Sequence, residues 1–309
     1  MLTAIDLCCG GGGWACAARG LPIAVTHAFD FWETALATYA LNHPGTRVHN
    51  RDLSDVIVCE MLYGALSQEP PDVILGGIPC EWLSSYRSSG LGNAPRPEEI
   101  ERERRLLDNV LDLCRRLTPR YWCLEDVIAL RKELPILTPY TILDARHWSP
   151  QRRKRIYVGV FPKPKRPGNT ETLASRLRPG PYRIGKRSVG RTPVFSGSFN
   201  GARILAAIPD RKAPTVITKS SQRDGDVAVI DAALPGGMRQ FEWQELAALQ
   251  GFPDDYLFVG SPTDTAKMVG RAVQIDLARA ILQAICRDAG HSQLSTLNSQ
   301  RTHELEETS

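Results

Sequence analysis

Short apolar runs of strand length, at residues 3–8, 22–30 and 72–77, alternate through the first half of the chain with longer stretches in which apolar positions recur at helical spacing. The helical stretches are 33–43, 54–66 and 98–117, the last interleaving charges with Leu106, Leu107, Val110, Leu111 and Leu117. Further strands are predicted at 49–52, 121–127 and 156–161, and two closing helices at 242–249 and 263–286. Strand and helix in turn predict an open α/β sheet, whose ligands gather outside the carboxyl ends of the strands.

Two corners of that sheet carry candidate chemistry. The first strand runs into Gly10, Gly11, Gly12 and Gly13, where glycines let a ligand approach backbone amides, and the second ends in Asp30, about 20 residues on, where such folds place a carboxylate for a ribose. The fourth strand closes on Gly76, Gly77, Pro79 and Cys80. Glycine at a strand exit permits unusual φ angles, and a thiol held there is either a nucleophile or one more small buried cysteine. A polar, proline-closed segment at 84–97 follows and reads as a lid.

Apolar content is 42%, and no segment has the apolar length that spans a bilayer. Together with a start that lacks a signal-like segment, this predicts a soluble protein of the cytoplasm, in a prokaryotic or phage-infected cell, without a membrane partner. The eight cysteines form neither a CxxC pair nor a histidine-linked set, so neither zinc nor any other metal is expected. Net charge is only +4, yet residues 151–220 hold 17 Lys and Arg against 2 Asp and Glu, a balance of 17 − 2 = +15. Such segregation points to a polyanion, nucleic acid first, the alternative being a solvated basic loop.

In order along the chain, DLCCGGGGW, GGIPCEW, LEDV, QRRKR, RQFEWQELAALQGFPDDY and VGRAVQIDLARAI resemble the motifs of the cytosine-C5 DNA methyltransferase family, from about residue 3 to 285. The resemblance implies a Rossmann-like methyltransferase sheet with helices on both faces, S-adenosylmethionine as cofactor, and a small basic target-recognition lobe. It implies a catalytic domain at 1–162, the lobe at 163–210 with a hinge to about 240, and C-terminal helices returning at 241–288. The tail 289–309 lacks patterning and reads as disordered.

By this resemblance Cys80 is the nucleophile that adds to carbon 6 of cytosine, since carbon 5 is too poor a nucleophile until a thiolate makes the ring an enamine. Glu125 then protonates or hydrogen-bonds ring nitrogen 3, and Arg153 and Arg155, alternating on one strand face, hold Glu125 and the base oxygen. The cofactor falls to Asp6, Leu7, Gly10, Gly12 and Gly13 of the glycine turn, with Asp30 on the ribose and Phe31 or Trp32 packing the adenine. Asp52 reads the adenine amino group beside Leu53, and Gly77, Pro79, Leu107, Arg271, Ala272 and Val273 complete the site. A base inside a duplex must be flipped out to react, and double-stranded DNA would be held by Ser84, Ser85, Arg87, Gln151, Arg183, Lys186, Arg187 and Arg191. A monomer suffices.

The sequence also departs from the family pattern. Cys8 stands where a phenylalanine is usual, Glu81 follows the cysteine in place of glutamine, Asp126 replaces an asparagine, and Arg271 replaces the asparagine of the last motif. A guanidinium beside a sulfonium needs a compensating anion. That anion is either Asp126 or a carboxylate on the transferred group, as in carboxy-S-adenosylmethionine, which would make the enzyme a carboxymethyltransferase. An RNA cytosine-C5 methyltransferase is the remaining alternative, although the Cys-Phe-Thr signature of the tRNA-acting subgroup is not found.

Overall fold

The structure is a computed structural model. It describes residues 1–79, 83, 96–178, 192–194, 203–207, 209–216, 227–230, 238–239 and 241–290. The chain opens with β1 (Leu2–Leu7), α1 (Gly13–Ala18), β2 (Ile23–Asp30), α2 (Glu33–Asn42), β3 (Arg47–Asn50) and α3 (Val56–Leu66). It continues with β4 (Val73–Gly77), α4 (Pro97–Leu117), β5 (Tyr121–Asp126), β6 (Tyr140–Asp144) and β7 (Lys154–Val158). These strands form a seven-stranded sheet in the order β3-β2-β1-β4-β5-β7-β6. The strands from β3 to β5 pair in parallel, while β7 runs antiparallel between β5 and β6.

Why the central runs read as continuously apolar is clear from the two cores. Val73, Leu75, Tyr121 and Cys123 enter one face, against Trp14 and Ala17 of α1 and the buried residues of the C-terminal helix α7 (Ile275–Asp288). The alternate residues Ile74, Trp122 and Leu124 enter the other, against Leu106, Leu107, Val110 and Leu111 of α4. A parallel sheet covered on both faces must be apolar at every position, not at every second one. Gly76 is glycine for the same reason: a Cβ there would sit 2.8 Å from the Leu7 carbonyl oxygen and 2.9 Å from Leu124 Cδ2. Gly76 and Gly77 lie inside β4, so the close approach of neighbouring strands, not an unusual φ, accounts for that residue.

Several boundaries differ from the sequence reading. The third strand lies earlier, at Arg47–Asn50, and β7 begins at Lys154, so Arg155 is within the strand and Arg153 precedes it. Strand β6 was not foreseen. The single long closing helix is two, α6 (Pro262–Arg271) and α7, after α5 (Trp243–Gln250). The break falls at Ala272, where φ −61 and ψ 148 are extended, and Gln274 caps the new helix by accepting from Leu277 N. A second sheet of four strands, β8 (Thr192–Val194), β9 (Arg203–Ala207), β10 (Val227–Ile230) and β11 (Met238–Arg239), runs in the order β11-β10-β9-β8. It draws two strands from the stretch expected to be a hinge.

Candidate active site

The ends of β1, β2, β4 and β5 come together at one edge of the sheet, and the functional side chains sit there. After β1 the chain turns through Gly10 (φ 51) and Gly12 (φ 90), left-handed conformations that favour glycine. A Cβ at Gly10 would meet nothing within 4 Å, so the turn presents open backbone outward. From beneath it is held by the C-terminal segment. Tyr256 Oη donates to the Gly11 carbonyl at 2.5 Å, and His43 Nε2 lies 3.0 Å from the same hydroxyl. Because the phenol proton is committed to Gly11, His43 acts as donor through Nε2, and burial pulls this imidazole down to about 4, so it is neutral near pH 7. Sequence reasoning missed Tyr256 and His43, which are 213 residues apart.

Asp30 closes the same turn. Its Oδ2 accepts from Gly10 N at 2.8 Å and its Oδ1 from Trp32 N at 2.9 Å. Burial raises the Asp30 carboxyl, while these amide bonds and the Arg271 charge pull it back. The Phe31 amide also acts on this carboxylate, which leaves it acceptor capacity for a ribose hydroxyl. The open backbone at Gly10, the Asp30 carboxylate beside it and the exposed ring of Phe31 fit an adenosine-bearing cofactor. Asp52 Oδ1 accepts from Ser54 N and Oγ, and its Oδ2 pairs with Arg102 at 2.9 Å. Pro79, Gly77 and Ala272 are partly exposed, and Arg271 is exposed with its guanidinium 5.8 Å above the Trp32 ring.

Other expected cofactor residues are beneath the surface. Asp6 and Leu7 are fully buried, and Leu53, Leu107 and Val273 lie in the cores, so their side chains support the site and do not line it. Gly12 and Gly13 are buried too. A Cβ at Gly12 would be 2.6 Å from Tyr256 Oη, and one at Gly13 would be 3.1 Å from Val273 Cγ1.

At the end of β5, Glu125 is paired in register with Gly77 of β4, and Cys80 follows three residues later in the chain. Glu125 Oε1 is buried, 3.2 Å from Arg155 Nε and 3.9 Å from Arg153 Nε, yet among the described residues no donor is aimed at it. The two arginines divide the work. Arg153 is buried and donates to the carbonyls of Val216, Gly270 and Ala272, at 2.9, 3.3 and 3.1 Å. It therefore ties the acid to the break between α6 and α7, and burial pulls its guanidinium down to about 10. Arg155 is partly exposed beside Glu125 and is the one able to face a substrate.

Gln151 is corrected by the structure. It is fully buried, its Nε2 donates to Leu249 O and Gln250 Oε1, and its Oε1 accepts from Val216 N, so it joins segments and offers DNA nothing. Cys80, Ser84, Ser85, Arg87, Arg183, Lys186, Arg187 and Arg191 lie outside the described residues, as do most of segment 84–97 and residues 291–309. Among the described residues no helix is long and apolar enough to cross a membrane, and no group of three His, Cys, Asp or Glu side chains is placed to hold a metal.

Residues 2–135 and 169–287 match the model of a family described as C-5 cytosine-specific DNA methylase. Among curated proteins, the type II methyltransferase M.SacI of Streptomyces achromogenes is 23% identical, with 98% of each chain covered. M.HgiDI of Herpetosiphon aurantiacus, also a type II methyltransferase, is 25% identical over 96% of this chain and 99% of its own. Among solved structures, the S. pombe Dnmt2 methyltransferase superposes with a TM-score of 0.70 at 14% identity, covering 94% of this chain and 99% of that one. The Entamoeba histolytica methyltransferase EhMeth gives 0.67 at 15% identity, covering 94% and 99%. At these identities the structural likeness speaks for the fold.

Proposed function

The chain belongs to the C-5 cytosine-specific DNA methylase family, and from that premise we propose that it methylates carbon 5 of a flipped cytosine in double-stranded DNA through a covalent Cys80 adduct. It is a DNA cytosine-5 methyltransferase, and full-length likeness to type II methyltransferases supports a role in restriction–modification. One observation carries the site assignment: Glu125 Oε1 is buried, flanked by two cations and, among the described residues, without an aimed donor, level with the strand that leads to Cys80.

A buried oxygen in that condition is costly unless a partner arrives, and cytosine supplies one on its pairing edge: the exocyclic amino group donates to the carboxylate, or ring nitrogen 3 accepts from the protonated acid. The Cys80 thiolate forms a bond to carbon 6, and electron density moves toward carbon 5 and nitrogen 3. Glu125 holds a proton at nitrogen 3, so the ring does not accumulate full negative charge. Arg155 keeps Glu125 in place and is poised for the base oxygen, while Arg153 sets the distance between the acid and the 270–273 turn. S-adenosylmethionine, when bound, supplies the electrophilic methyl group. Asp30, Phe31, Trp32 and the glycine turn hold its adenosine, and the basic segment 151–220 meets phosphates.

Methyl is the transferred group. The family assignment supports it, and the Arg271 guanidinium lies over the Trp32 ring, on the cofactor's side of Asp30. Tritiated S-adenosylmethionine incubated with duplex DNA or with tRNA, followed by nucleoside mass spectrometry, tests the reading. Label in 5-methylcytosine of DNA is expected. Label confined to tRNA, or 5-carboxymethylcytosine dominating when both donors compete, would overturn it.

A further inference from the structure

Arg102, on the second turn of α4, combines two contacts that the sequence did not suggest. Its guanidinium carbon lies 4.5 Å from the centroid of the Phe31 ring. Its Nη2 and Nε donate to Asp52 Oδ2 at 2.9 and 3.3 Å. Phe31 is 47% exposed, so the ring face that Arg102 covers lies at the mouth of the site.

Counting lone pairs gives the consequence. A carboxylate offers about four acceptor sites. Asp52 spends two on Ser54, through N at 3.0 Å and Oγ at 2.7 Å, and two on Arg102. Nothing is left for the amino group of an adenine while Arg102 stays in place. The guanidinium is planar, stacks on an aromatic face and directs N–H groups into the plane of a carboxylate. An adenine that stacks on Phe31 and donates its amino group to Asp52 makes the same set of contacts.

We propose that Arg102 is a residue of the adenosine site that stands in for the adenine, so that guanidinium and cofactor base compete for Phe31 and Asp52. This rests on the reading of Phe31 and Asp52 as the adenine site. Binding therefore requires the Arg102 side chain to swing away. It is 42% exposed and held by one ion pair and one stacking contact, so the swing is cheap.

Titration calorimetry with S-adenosylhomocysteine on the full chain tests this without turnover. Arg102→Ala and Arg102→Met should bind it about tenfold more tightly than wild type, equivalent to about 1.4 kcal/mol. Arg102→Lys, which keeps the charge but loses the planar stack, should fall between. Arg105→Ala, on the same helix and paired with Glu101, should bind like wild type. A purely structural arginine would loosen the site when removed, so the direction of the change is diagnostic. Unchanged or weaker binding in both Arg102 variants, with wild type binding normally, overturns the stand-in and leaves the cofactor reading intact. Failure of wild type to bind S-adenosylhomocysteine overturns the cofactor reading and the stand-in with it.

Discussion

Asp6 sits under the glycine turn with no exposure; among the described residues its Oδ1 has no partner and its Oδ2 meets the Tyr39 hydroxyl at 3.5 Å. Burial first, and the Asp30 charge second, push its carboxyl from 3.8 up to about 8. Between those values the folded chain keeps a proton that the unfolded chain releases, so stability declines as pH rises through this window and levels off above it. Asp6→Asn should remove the decline: in denaturant titrations its advantage over wild type should grow from pH 5 to pH 8, by on the order of a few kcal/mol. A constant gap would mean that Asp6 is charged in the fold. Arg153 and Arg155 lend themselves to a second separation. Arg155→Ala should lower kcat about a hundredfold with S-adenosylhomocysteine affinity unchanged, the scale of a misplaced acid. Arg153→Ala should lower both, because Arg153 also holds the carbonyls of Gly270 and Ala272. Equal profiles for the two variants would refute the division.

At the scale of elements, α5 carries the joint between the two sheets. Arg239 of β11 and Glu245 of α5 form a bidentate pair at 2.8 Å in both arms, 1% and 0% exposed. Glu245 also accepts from Arg178 N and from the amide of its own N-cap, Glu242. Removing one partner of such a pair strands a charge, so Glu245→Ala should destabilise by about 3–5 kcal/mol, read as a lowered denaturation midpoint. A change within 0.5 kcal/mol, the range of ordinary surface substitutions, would show the pair to be dispensable. The elements up to β5 were legible in the sequence because each is a local periodic signal bounded by glycine, proline or a cap. Strand β6 was not, since YTILD is short and follows an irregular stretch containing a 3-10 turn. The α6–α7 break escaped because periodicity runs through it; only the Gln274 cap and the extended Ala272 reveal it. Arg153 and Arg155 were expected to be equivalent by alternation, but β7 starts between them, and tertiary contacts gave them different duties. Gln151 shows the same limit, since nothing local tells a buried joint from a DNA contact.

For the whole molecule, charge segregation predicts the behaviour toward nucleic acid. The excess of positive charge in 151–220 should make DNA affinity fall steeply with salt, by about 10³-fold or more between 50 and 200 mM if six or more phosphates are contacted. A flat response would take that segment out of the interface. The central claim is that the sheet delivers a thiol and a buried acid to one cytosine, and trapping tests it most directly. Duplex DNA carrying 5-fluorocytosine, incubated with the protein and S-adenosylmethionine, should yield a denaturation-resistant complex whose cross-linked peptide contains Cys80. Cys80→Ala should form none while still binding DNA. Absence of any adduct with wild type, or an adduct at another residue, would contradict the account.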